Sequence, residues 1–249
     1  MKTKTFILLQ RYQLLYLYMK NTDFKPFDDY NWEKLYRIGG FAAFCIVFLI
    51  PVQIITFVVF PPPATTIGFF ELLRDNWVLG LLSLDLLYYI NNGLLILVYL
   101  GLFASLRKVD FANMLIATVI GFVGIAVYYV SSVGFEMLSV SNQYYSAVSA
   151  EAQQQMLAVG HGLMTRYKGT AFDVYYVFNA ITLLMISMTM FKSDIFKKSC
   201  AIWGLVAGVL MVIPSTAGTI GLVFSLASLV PWIVFSILIG RRLMHLSDV

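Results

Sequence analysis

The sequence predicts an all-α integral membrane protein, a six-transmembrane-helix bundle with both termini cytoplasmic. Three observations carry that expectation. The chain of 249 residues is 60% hydrophobic and 12% charged, where a soluble domain has about 45–50% apolar and about 25% charged residues. Six apolar runs approach the roughly 20 residues that cross a hydrocarbon core about 30 Å thick. The basic residues gather on one side of those runs. The apolar content excludes disorder, and two cysteines exclude a disulfide scaffold. In such a chain a net charge of +4 reports topology rather than nucleic acid.

The first 35 residues read as a cytoplasmic segment. Lys2 and Lys4 before Phe6 resemble the start of a signal peptide, but Gln10, Arg11 and Gln13 interrupt the apolar stretch and no cleavage site follows, so retention is expected. Met19 offers an alternative translation start. The membrane domain spans 36–246. Its first span, 38–60, is closed by Pro61, Pro62 and Pro63, which lack backbone donors. The second, 77–106, holds one acid, Asp85, and ends at Arg107 and Lys108. The third, 111–135, follows after a turn short enough for antiparallel neighbours. Residues 136–169 form a polar stretch read as amphipathic helices capping the bundle, with Ala150, Met156, Leu157 and Leu163 facing inward. A smaller helix of the same kind is expected over 69–76. The fourth span is 170–191. The fifth, 199–217, contains Pro214, and its clean core rises only about 22 Å. Lys197 and Lys198 could extend it by snorkelling. A re-entrant hairpin made with the sixth span, 219–240, is the alternative.

Six crossings put fourteen of the seventeen Lys and Arg residues on one face and leave Arg74, Arg166 and Lys168 on the other. That is a strong positive-inside bias, and an odd number of spans would spoil it.

Ionisable groups at membrane depth need a partner, a cavity or a function. On a continuous helix of 3.6 residues per turn, Asp85, Tyr88, Tyr89, Asn92 and Tyr99 share a stripe about 100° wide, with Asp85 about 12 Å below the outer boundary. Asp173, Tyr176 and Asn179 share a sector of the fourth span, and Tyr128, Tyr129, Ser132 and Glu136 an arc near the outer end of the third. Packed together they would enclose a polar chamber in the outer half of the membrane. Its candidate ligand-binding residues are Asp85, Tyr88, Tyr89, Asn92, Tyr128, Asp173, Tyr176 and Asn179, suited to a small polar or cationic ligand. The same residues could instead form a packing network of interhelical hydrogen bonds, each contributing about 0.6 kcal/mol. For Asp85 both readings stand.

Other chemistry is poorly supplied. Two histidines, His161 and His245, cannot build a three-histidine metal site. His161 near Glu136 or Asp173 is more simply a hydrogen-bonded side chain. Cys45 and Cys200 read as packing residues, and no phosphate loop, nucleophile elbow or protease motif is present. No enzyme activity, metal or cofactor is expected. Gly204 and Gly208 form a G-x-x-x-G that more often meets a helix of its own chain than a second copy, which keeps a homo-oligomer as the minority arrangement.

Tyr36-Arg37-Ile38-Gly39-Gly40, Leu84-Asp85-Leu86-Leu87, Gly169-Thr170-Ala171-Phe172 and Phe196-Lys197-Lys198 with Trp203-Gly204 open or mark successive spans. Together with Pro231-Trp232-Ile233 and Gly240-Arg241-Arg242-Leu243, they resemble the bacterial multi-pass membrane proteins of domain-of-unknown-function family 4386, over residues 36–246. The resemblance implies a bacterial inner-membrane protein of unassigned activity and brings no catalytic residues. The expected partners are membrane lipids and a small polar or cationic ligand, and nucleic acid is not expected. The leading expectation is a non-enzymatic binding, sensing or accessory protein. The alternative is a small transporter or efflux component using Asp85 as its coupling or substrate site.

Overall fold

The computed structural model describes Gln13, residues 32–167 and residues 169–248. The N-terminal segment, with its signal-like start and Met19, lies outside the described residues except at Gln13 and beyond residue 31. By internal contacts the chain divides into Met1–Trp32 and Glu33–Val249. The second unit is described here.

Every described element is helical: α1 Glu33–Val59, α2 Thr66–Asp75, α3 Trp77–Ser83, α4 Leu86–Leu106, α5 Phe111–Ser131, α6 Gly134–Ser146, α7 Ala150–Tyr167, α8 Thr170–Phe191, α9 Lys198–Leu210 and α10 Gly218–Ser247. Side-chain caps fix several starts. Thr65 accepts from the Gly68 amide at 3.1 Å, Asn76 from Leu79 at 3.0 Å and Asp110 from Asn113 at 3.1 Å, each satisfying a donor that a helix end leaves open. Among the described residues, five apolar stretches are long enough to cross a membrane: α1, α4, α10, and the stretches containing α5 and α8. This is a multi-pass architecture.

Three expected spans differ from what the structure shows. The second is not one helix. It breaks at Leu84 and Asp85 into α3 and α4, with Asp85 in the left-handed region at φ 63°. The third stops at Ser131, and α6 starts afresh at Gly134. The fifth shrinks to the 13 residues of α9, about 20 Å of rise, because the chain leaves the helix before Pro214 and turns sharply back. Gly218 takes φ +66°, and a Cβ on Gly221 would stand 2.1 Å from the Pro214 carbonyl oxygen. A side chain has no room at Gly221, and Gly218 takes the left-handed backbone without steric cost.

Six helices form a closed ring in chain order. α1 packs on α4, α4 on α5, α5 on α8, α8 on α9, α9 on α10, and α10 returns to α1. The core inside includes Ile46, Leu102, Met114, Ile186, Phe235 and Ile239. Glycines set the closest approaches. A Cβ on Gly39 would stand 2.9 Å from the Leu97 carbonyl oxygen of α4, and one on Gly40 3.0 Å from the Gly240 carbonyl oxygen of α10. The face of Gly204 and Gly208 is filled by Ser187 and Leu184 of α8 and Phe235 of α10, within the same chain. Polar bonds add to the α5–α8 seam: Asn113 Nδ2 donates to the Met185 carbonyl at 3.0 Å and to Thr189 Oγ1 at 2.6 Å, and Thr182 Oγ1 to the Ala117 carbonyl at 3.1 Å. Phe41, Phe48 and Val58 of α1, with Val119 and Val130 of α5, point outward and are exposed, the apolar surface a lipid-facing helix requires.

One end of the ring is covered by α2, α3, α6 and α7. Phe69, Phe70, Leu73, Leu81, Leu84, Val133 and Met137 form a second core there, with Met156, Leu157 and Leu163 of α7 packed on it. Ala150 is exposed, against expectation, because it is the first residue of α7 and precedes the packed face. Ser141 Oγ donates to the Phe70 carbonyl at 3.0 Å, and Gly160 leaves room for the Phe70 ring. His161 Nδ1 bonds to Thr66 Oγ1 at 2.9 Å, joining α7 to α2, whereas Glu136 pairs with Arg166 at 3.1 Å.

Candidate functional site

Toward the capped end the ring encloses a chamber of about 540 Å³, walled by α1, α4, α8 and α10 and reached by Tyr167 of α7 and by Ser215 and Thr216 of the α9–α10 turn. Small-molecule sites run from about 300 to 1,000 Å³. Aromatic rings form much of the wall: Phe57, Tyr88, Phe172, Tyr176 and Trp232. No Lys, Arg or His is among the described residues that line it.

The break between α3 and α4 places the chamber's acid. A left-handed conformation costs an L-residue about 1–2 kcal/mol, and aspartate bears it better than most because its short side chain can bond locally. Asp85 is the one positive-φ residue other than glycine among those described. Its carboxylate accepts from the Tyr167 hydroxyl, and its carbonyl accepts the Tyr89 amide of α4 at 2.9 Å. Gln53 of α1 reaches across, its Nε2 donating to the Leu82 carbonyl at 3.5 Å. One helix of the ring thereby braces the interruption in its neighbour. Non-helical backbone at membrane depth is tolerated where it lines a cavity or is buried in protein.

Two wall residues carry acceptors without donors. Gln53 is 8% exposed and Asn91 6% exposed, and the Gln53 Oε1 and Asn91 Oδ1 atoms are buried with no hydrogen-bond partner. A buried acceptor left open costs about 1–3 kcal/mol. Both belong to residues facing the chamber.

Of the eight residues expected at the site, Asp85, Tyr88 and Tyr176 line the chamber. Tyr176 shares a hydrogen bond with Ser225 of α10 at 2.6 Å. Asn179 lies deeper, at a second cavity of about 30 Å³, where it accepts from the Tyr99 hydroxyl at 2.6 Å and donates to the Tyr175 carbonyl at 2.9 Å. The other four lie off the wall. Tyr128 is buried behind it in a ring cluster with Tyr88 and Tyr175, at centroid distances of 5.6 and 4.8 Å. Asn92 is fully buried and donates to the Tyr88 carbonyl at 3.0 Å. Tyr89 turns outward and packs against Tyr129, ring centroids 4.4 Å apart at a tilt of 53°. Asp173 accepts from the Thr216 hydroxyl and fastens the α9–α10 turn to α8. The expected stripe fails for a definite reason: a helical wheel started at Asp85 assumes a helix running through it, and the left-handed residue resets the angle of everything after it. Gln53, Asn91, Tyr167 and Ser225 were not foreseen. Gln53 was legible as an amide inside the uncharged first span, and Asn91, three residues after Tyr88, as its neighbour on one face of α4.

The chain is thus an all-helical multi-pass membrane protein with a lined chamber inside its ring. A family model described as "Domain of unknown function (DUF4386)" matches residues 38–245, and the chain belongs to that family. No curated protein and no solved structure matches it.

Proposed function

We propose that this protein is a six-span, non-enzymatic binding, sensing or accessory protein of the bacterial plasma membrane that holds a small organic cation in its chamber. The observation that carries the reading is a cavity lined by one carboxylate, Asp85, with no Lys, Arg or His among its described lining residues, by Gln53 and Asn91 with their orphaned amide oxygens, and by aromatic rings. A cation brings the charge that balances the carboxylate and further N–H donors, and aromatic faces attract it. The orientation rests on the basic residues. With both termini cytoplasmic, the uncapped end carries nine of the eleven described Lys and Arg residues, Arg74 and Arg166 being the other two, and the chamber opens in the outer half of the membrane. α9 crosses as the sixth member of the ring by Lys197 and Lys198 extending its reach.

Ligand binding stabilises the folded state in proportion to occupancy. Ethylammonium should therefore raise the melting temperature of the purified protein saturably, and Asp85→Asn should abolish the rise while sodium at equal ionic strength produces none. Equal rises in both proteins would overturn the reading.

A second reading, a small transporter, is favoured by one observation, the helix interrupted beside an intramembrane acid. Interrupted helices with half-helix ends at the site recur in secondary transporters. Proteoliposome uptake of the same cation, lost in Asp85→Asn, would place the protein there; binding without uptake would not.

A further inference from the structure

We infer that the chamber takes an amphiphilic primary amine, its ammonium group at Asp85 and its apolar tail passing out between α1 and α10, so that the ligand arrives from the lipid. This inference deepens the binding reading above and rests on it. The head is specified by the acceptors. Asp85, at the break before α4, Gln53 of α1 and Asn91 of α4 all line the chamber. The amide oxygens belong to side chains more than nine-tenths buried and have no donor among the described residues. The Gln53 amide nitrogen turns to the Leu82 carbonyl at the helix break, 3.5 Å away. A primary ammonium has three N–H donors for this acceptor set. A quaternary ammonium has none, and an alcohol has one and no charge.

The tail is specified by the other side of the chamber. α1 and α10 touch at Gly40 and Gly240 toward the uncapped end, and further along the chamber lies between them. The chamber residues at the edges of that gap are apolar and also exposed: Ile54 of α1 at 41%, Leu222 and Leu226 of α10 at 52% and 56%. Each helix carries an interior proline at this level, Pro51 and Pro231. Each removes one bond from its helix ladder, the usual cause of a local bend. The wall therefore passes from Asp85, Gln53 and Asn91 by way of Ile54, Leu222 and Leu226 to the apolar outer surface of the ring. Toward the cap, by contrast, the chamber meets the hydroxyls of Tyr167, Ser215 and Thr216. A tail directed that way would meet those hydroxyls, and one directed between α1 and α10 passes Ile54, Leu222 and Leu226, with the Ser225 hydroxyl engaged by Tyr176.

The test uses the full chain in phosphatidylcholine nanodiscs, whose lipid has no primary amine, and native mass spectrometry to count bound decylammonium, ethylammonium, decyltrimethylammonium or decanol. Decylammonium should bind one per chain, at least about tenfold more tightly than the other three. Asp85→Asn should remove that preference over decanol. Leu222→Trp, which fills the gap at an exposed position, should weaken decylammonium about tenfold and leave ethylammonium unchanged, and Leu226→Trp provides the same test if the first variant folds poorly. Exchange into phosphatidylethanolamine discs separates two sources of the same chemistry: displacement of the probe identifies a lipid headgroup as the occupant, and retention identifies a free amine. If ethylammonium binds in an Asp85-dependent manner but the decyl chain adds nothing, or Leu222→Trp and Leu226→Trp both bind decylammonium as the parent does, the lipid route is overturned while the binding reading stands. If no amine binds in an Asp85-dependent manner, both fall.

Discussion

Replacing Asp85 by asparagine, glycine and alanine in turn tests the interruption of the second span by the sign of an energy difference. All three variants remove the carboxylate, so the cost of its partial desolvation is common to them and cancels. Asparagine keeps an acceptor for Tyr167 and tolerates left-handed backbone. Glycine and alanine both lose the Tyr167 bond and differ mainly in backbone preference. At φ 63° alanine pays about 1 kcal/mol or more that glycine does not. In a continuous helix the order reverses, and alanine is better than glycine by about 1 kcal/mol. The two geometries therefore differ by roughly 2 kcal/mol in the Gly-minus-Ala comparison, well above the error of denaturant titrations in detergent micelles. The predicted order of stability is Asn, then Gly, then Ala. Alanine more stable than glycine at position 85 would refute the break and, with it, the placement of the carboxylate on the chamber wall.

Ring closure makes a second prediction: Gly40→Leu forces side-chain atoms against the Gly240 carbonyl and Met244 and should destabilise by about 1–3 kcal/mol, whereas Gly162→Ala, with nothing within 4 Å of the added carbon, should stabilise α7 by about 0.5–1 kcal/mol; thermal unfolding of the two side by side checks both. Tyr99→Phe strands the buried Asn179 acceptor and should cost about 1–3 kcal/mol, which a chemical denaturation midpoint would show. Asp110, outside the spans, is held below the ordinary carboxylate range by the Asn113 amide and by Lys192 at 3.2 Å. A carboxylate so depressed supports the fold above its unfolded range, and that support disappears as acidification carries the pH down through its folded value. Asp110→Asn, which keeps the cap acceptor and loses the charge, should therefore flatten the acid limb of the stability profile; an unchanged limb would refute the assignment.

How far the sequence could be read depends on what each feature is made of. The fourth span was expected over 170–191 and the helix is Thr170–Phe191, because Gly169 and Lys192 mark its ends chemically. The break in the second span left no such mark. Leu84 and Leu86 are as apolar as a continuous span would be, and hydropathy is blind to a dihedral angle. The fifth span was overestimated because an apolar turn through Met211 and Ile213 looks the same as apolar helix in composition. Asp85, Tyr88 and Tyr176 were found because polar groups in apolar runs stand out. Gln53 and Asn91 do not share a helical face with Asp85, and their importance comes from being buried without donors among the described residues, which only packing reveals. The route between α1 and α10 depends on a contact between the first and last helices of the ring, which no local pattern encodes.

Trp232 lines the chamber, so the most direct measurement of the central claim is its fluorescence during titration with ethylammonium, in a chain where Trp32, Trp77 and Trp203 are replaced by phenylalanine. The account predicts a saturable change in emission with aspartate at position 85 and none after Asp85→Asn. Superimposable titrations of the two proteins would contradict it.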